Sequence, residues 1–119
     1  MEIMDQVIGN ITVLKLSGRL DSLSAVSLKD RVRDHIKDGS VRMVIDMEGV
    51  DFVDSSGLGS LVACLRSVKN LGGDIRIAAL QERVRAVFEL IRLHHIFDIF
   101  DGAQLAVDSF RDIAANEEK

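Results

Sequence analysis

The chain has 119 residues, 47% of them hydrophobic and 29% charged, with a mean hydropathy of +0.17. That fits one domain with a real core and excludes a disordered chain. A formal net charge of -4 argues against a nucleic-acid surface, the lone Cys64 excludes an internal disulfide, and the longest apolar run, 61–65, is far too short to span a membrane.

Residues 2–8 read as an edge strand, and Gly9-Asn10 as the two-residue turn of a hairpin. Residues 11–16, ITVLKL, form a second strand rich in β-branched side chains. Gly18-Arg19-Leu20-Asp21 is expected to leave that strand as a loop, with Ser22 or Ser24 capping the first helix. This helix carries Ala25, Leu28, Val32 and Ile36 at spacings of three and four and stops at Gly39. Residues 41–47 are the third strand. Its run Met43-Val44-Ile45 suits a strand covered on both faces.

Asp46, Glu48, Asp51 and Asp54 crowd the next nine residues, which read as an acidic loop. Ser55, Ser56 and Gly57 then open a helix over 55–71. Its stripe is Leu58, Leu61, Val62, Leu65 and Val68, and it ends at Gly72-Gly73. Two adjacent serines therefore stand at a helix N-terminus, where unpaired N–H groups and a partial positive charge tolerate phosphate. Residues 74–80 are the fourth strand. Residues 81–93 are a third helix with Val84, Val87, Phe88 and Ile91 inward, and 96–100 suggest a short fifth strand. Asp101-Gly102-Ala103-Gln104 resembles a capping box for a last helix through 113, leaving a frayed polar tail at 114–119. Strand three, helix two and strand four make a right-handed parallel crossover, while the opening hairpin makes the sheet mixed.

Several chemistries compete for the serine turn. A serine hydrolase would need G-x-S-x-G, but Val53 and Asp54 stand two residues before the serines, and His35, His94 and His95 are not placed near them by the sequence. Gly57-Leu58-Gly59 lacks the third glycine of a dinucleotide fingerprint, since Val62 stands there; close backbone packing is the plainer reading of both glycines. The four acids do not keep EF-hand spacing, and adjacent histidine rings are expected to diverge, so no metal or other cofactor is expected. Cys64, mid-helix near the core stripe, reads as buried and inert. An exposed serine whose charge can be changed by phosphorylation remains, with Ser55 better placed than Ser56. Ser56 is expected to act locally as a cap.

From Val53 onward, Asp54-Ser55-Ser56-Gly57-Leu58-Gly59 resembles the STAS-domain signature of the anti-sigma factor antagonists. Gly18-Arg19-Leu20-Asp21, Leu71-Gly72-Gly73-Asp74 and the 84–88 helix extend the likeness over about 7–113. The resemblance implies a small α/β domain spanning the chain, with a mixed four- to five-stranded sheet and about four helices mainly on one side. It implies a protein without catalytic residues that binds an anti-sigma factor, itself a serine kinase of the histidine-kinase-like ATPase type. Phosphorylation at Ser55 would release that partner, and a PP2C-type phosphatase would reverse the step. Asp21, Asp54, Ser56, Gly57 and Leu58 would line the partner surface. Arg92-Leu93-His94-His95 departs from the family by lacking a glycine often found there. The start Met1-Glu2-Ile3 is not that of a signal peptide, and a cytoplasmic, bacterial setting is implied. The other reading is a STAS docking or scaffold subunit, for example of a transporter, in which the serine is idle.

Overall fold

The structure is a computed structural model, described here for residues 1–117 and, for side chains, through Arg111. In chain order it comprises β1 (Glu2–Ile8), β2 (Ile11–Leu20), α1 (Ser22–Lys37), β3 (Arg42–Val53), α2 (Ser55–Lys69), β4 (Asp74–Ala78), α3 (Glu82–Leu90), a 3-10 turn (Leu93–His95), β5 (Ile99–Phe100) and α4 (Ala103–Glu117). The five strands lie in the order β1-β2-β3-β4-β5. β1 and β2 are the antiparallel hairpin; all other pairs are parallel. The mixed sheet and the ambiguous fifth strand expected from the sequence are both present.

Period-two alternation divides the strands between two cores. Leu14, Leu16, Met43, Ile45, Met47, Ile75 and Ile77 face α1, α2 and α3, where Leu28, Val32, Leu61, Leu65, Val68, Val84 and Phe88 meet them. Ile11, Val13, Val44 and Ala78 face the other way, against Ala106, Val107 and Phe110 of α4. Three helices on one side and one on the other is the arrangement expected. Each fully buried aliphatic side chain, such as Leu61, contributes about 1.5–3 kcal/mol. α4 is also tied to the sheet by the buried Arg76. Its guanidinium pairs with Asp74 at 3.2 Å, donates to Ser109 Oγ and lies 4.1 Å over the Phe110 ring. At the other edge Asp5 of β1 holds Arg31 and His35 of α1, the latter at 2.6 Å.

Both central strands outrun the sequence reading. β2 continues through Gly18-Arg19 to Leu20, and β3 runs through the supposed acidic loop to Val53. Arg19 pairs with Phe52 and Leu20 with Val53, after register shifts at Lys15/Ser17 and Gly18/Arg19. The polar residues and the shifts hide the strand period from a sequence pattern, but the parallel ladder carries on. α2 ends at Lys69, and α3 is nine residues long rather than thirteen because Arg92 adopts φ 61°, a left-handed conformation that cannot continue a helix. Arg92 thus takes, with a side chain, the kind of backbone position a glycine would fill without strain. Ile91, expected inward, is 48% exposed as a result. The His94 and His95 rings, expected to diverge, lie 4.2 Å apart. Gln104, expected to serve a capping box with Asp101, donates forward to Asp108 at 2.9 Å. α4 extends past residue 113 to Glu117, and the end of the expected tail, 118–119, lies outside the described residues.

Candidate functional site

β2 and β3 end side by side, and each is followed by an aspartate. Asp21 follows Leu20, and Asp54 follows Val53. The Asp54 N–H donates to the Leu20 carbonyl at 3.2 Å, which joins the two strand ends. Each aspartate caps the helix that follows, and this overturns the expectation of serine caps. The Asp21 carboxylate accepts from the N–H groups of Leu23 (3.2 Å) and Ser24 (3.1 Å), while the Ser24 hydroxyl accepts from Asp21 N–H at 2.7 Å. The box is thus reciprocal, with aspartate at the cap and Ser24 as its inner member. The Ser24 backbone N–H, then its hydroxyl, hold the Asp21 carboxyl below its ordinary pKa, with smaller help from Leu23 N–H and the Arg19 charge.

In α2 the Asp54 carboxylate accepts from Gly57 N–H at 2.9 Å. That leaves the serines without capping work. Ser55 and Ser56 are both exposed, and among the described residues neither hydroxyl makes a hydrogen bond. The expectation that Ser56 caps locally is therefore corrected: the carboxylate one residue before the helix satisfies the first-turn donor instead.

Gly57 is buried, and a Cβ there would fall 2.3 Å from the Leu20 carbonyl oxygen and 2.8 Å from Leu20 Cγ. Its role is to let the first turn of α2 lie directly on the end of β2. Gly59 differs: an added Cβ would meet nothing within 4 Å. The expectation of close packing holds for the first glycine and not for the second. Leu58 is 8% exposed and turns toward the core. Ser60, buried, donates to the Gly57 carbonyl at 2.6 Å and takes no part in the exposed surface.

Beside Ser55 runs an apolar groove of about 380 Å³ between α2 and α3, lined by Val53, Asp54, Ser55, Leu58, Gly59, Val62, Val87, Ile91 and Leu93. Ser56 is not among the lining residues. No sequence pattern announced this groove, since its walls come from two helices set by the tertiary fold. Val62 and Val87, which the spacing places in the apolar stripes, are only half-buried because they face it. One residue before the end of each strand, the Arg19 guanidinium stacks 3.8 Å over the exposed Phe52 ring.

The other candidate groups are engaged or scattered. His35 is committed to Asp5. Asp46 and Glu48 lie along β3 and cannot wrap a cation as a loop does; Asp46 accepts from Glu48 N–H at 3.0 Å. Burial pushes the Cys64 thiol up to about 11, so little thiolate forms near neutral pH. Among the described residues no helix is long and apolar enough to cross a membrane.

The sequence matches the family model of the STAS domain over residues 2–106. BtrV of Bordetella bronchiseptica, provisionally named an anti-sigma factor antagonist, is 25% identical over 108 residues, which cover 91% of this chain and 92% of that protein. The anti-sigma-B factor antagonist of Staphylococcus aureus is 24% identical over 92 residues, covering 77% and 85%. Among solved structures, the anti-sigma factor antagonist SpoIIAA in its unphosphorylated form superposes with a TM-score of 0.81 at 21% identity, covering 93% of this chain and 97% of that one. The phosphorylated form from Bacillus gives 0.73 at 20% identity, covering 92% and 99%. At that identity the likeness speaks to the fold. With most of its length matched and its sheet and helices in the same arrangement, this chain belongs to the STAS domain family.

Proposed function

We propose that this protein is an anti-sigma factor antagonist that works by partner switching. Unphosphorylated, it binds an anti-sigma factor that is a serine kinase; phosphorylation at Ser55 releases that partner, and a PP2C-type phosphatase restores the binding form. The protein itself catalyses nothing. One observation carries the reading: Ser55 is exposed, its hydroxyl is unengaged, and it stands between the Asp54 cap and an apolar groove. The names of the relatives support the antagonist role, and the two recorded states of SpoIIAA support a role for phosphorylation.

In the transfer step Ser55 Oγ attacks the γ-phosphorus of ATP. The bond to the ADP oxygen breaks, and the serine proton passes to a base on the kinase. The product phosphoserine then carries about -1.5 to -2 charges at neutral pH. It faces the ADP phosphates it has just left, and like charges held across an interface cost several kcal/mol. Within the free protein the first-turn N–H groups of α2 favour the phosphate by only about 0.3–1 kcal/mol at an exposed site. Asp54, one residue before Ser55 and lining the same groove, opposes it. The interface effect is the larger, so release follows without refolding of the domain.

Incubation of the protein with ATP and the purified kinase, followed by mass spectrometry, tests this. Phosphate on Ser55 and its absence in Ser55→Ala are expected. Stoichiometric phosphate on Ser56 alone would contradict the assignment.

A further inference from the structure

Gly59 is a helix-interior glycine for which the fold provides no reason. Nothing stands within 4 Å of its missing Cβ, and its φ is not positive. Glycine is among the least favourable residues inside a helix, so the chain forgoes helix stability at a point with room for a side chain. The place is informative. Ser55, Gly59 and Val62 follow one another at i, i+4 and i+7, down one face of α2. That face is one wall of the groove; Val87 of α3, Ile91 just past the end of α3, and Leu93 form the other. Ile91, in that wall, is 48% exposed, apolar surface the fold leaves uncovered.

We propose that the kinase acting on Ser55 seats an apolar side chain in the α2–α3 groove, against the bare backbone at Gly59 and the side chain of Ile91. This rests on the partner-switching function proposed above. Ser55 and Asp54 are themselves lining residues, so a protein that brings a γ-phosphate to Ser55 Oγ must lie over the groove. Beyond those two residues the walls are aliphatic, which suits an aliphatic or aromatic anchor and not a charged one. The anchor also selects between the serines. Ser55 shares the groove face, whereas Ser56 is turned about 100° round the helix, away from it. Gly59 is thus a specificity residue: it keeps the anchor close enough to register Ser55 against the nucleotide.

Gly59→Ala, Gly59→Leu and Ile91→Ser are compared with the wild-type chain by calorimetric titration against the purified anti-sigma factor kinase loaded with a non-hydrolysable ATP analogue. Initial rates of Ser55 phosphorylation are measured with ATP. Both Gly59 variants should melt at or above the wild-type temperature. Gly59→Ala should bind roughly tenfold more weakly and Gly59→Leu on the order of a hundredfold, with phosphorylation slowed in parallel. Ile91→Ser should weaken binding as well. Wild-type affinity in a folded Gly59→Leu protein would overturn the proposal while leaving partner switching intact. Failure of the wild-type chain itself to bind would remove partner switching and this proposal together.

Discussion

Replacing Gly57 with alanine should unseat the start of α2. The added Cβ would lie 2.3 Å from the Leu20 carbonyl oxygen, about 1.1 Å inside the 3.4 Å of an ordinary contact, and 2.8 Å from Leu20 Cγ. Neither atom can yield easily. Leu20 is 0% exposed, and its carbonyl already accepts the Asp54 N–H that joins the two strand ends. Overpacking of this kind costs about 1–3 kcal/mol, and alanine's better helix propensity returns up to about 1 kcal/mol. The net loss is between about 0 and 3 kcal/mol, and a clash with a backbone oxygen puts it in the upper part of that range, which lowers the melting temperature of a domain this size by several °C. Calorimetry of the purified variant measures it. The helix can relieve the clash only by moving its N-terminus, so Ser55 moves too, and under the proposed switch its phosphorylation should slow even where the protein remains folded. A Gly57→Ala protein that melts at or above the wild-type temperature would refute the close approach of α2 to β2.

Two further outcomes follow from the caps. Asp54→Ala should lose about 0.5–2 kcal/mol, because the Gly57 N–H goes unpaired, whereas Ser56→Ala should be near neutral; paired urea titrations at pH 7 distinguish them. A larger loss in Ser56→Ala would return the cap to the serine. Asp21 gives a pH dependence. Its folded pKa lies below the ordinary aspartate value, held there first by Ser24 N–H, so its contribution is present above about pH 4 and is lost as the pH falls through the folded pKa. Asp21→Asn should therefore narrow the difference in urea midpoint between pH 7 and pH 2.5, and an unchanged difference would show that the Ser24 contacts do not hold the carboxylate.

Much of the sheet was legible because the apolar periods of β2, β3, β4, α1 and α2 agree with their surroundings. The misreadings cluster where tertiary pairing overrides a local pattern. Gly18-Arg19 and the acids from Asp46 onward look like loop residues, yet the parallel ladder runs past them to Leu20 and Val53. The sequence alone does not separate the caps, because serine and aspartate are equally good at that position in isolation. Only the joined strand ends show that the aspartates stand just outside the helices while Ser55 and Ser56 lie within the first turn. Continuing the α3 stripe puts Ile91 inward, and Arg92 breaks that continuation. The two glycines of Gly57-Leu58-Gly59 look alike in sequence. Their opposite surroundings, a buried carbonyl for one and open space for the other, depend on which neighbours the fold brings near. The α2–α3 groove was invisible for the same reason, although its serine was not.

The proposed switch at Ser55 is tested most directly by titrating the proposed kinase partner with three forms of this protein: unmodified, phosphorylated at Ser55, and Ser55→Ala. A penalty of several kcal/mol for the phosphate corresponds to a loss of at least a hundredfold in affinity, since about 1.4 kcal/mol is tenfold. The unmodified and Ser55→Ala forms should bind alike in the presence of a non-hydrolysable ATP analogue, and only Ser55→Ala should stay bound once ATP is added. Equal affinity for the unmodified and phosphorylated forms would contradict the switch and leave a docking domain with an idle serine.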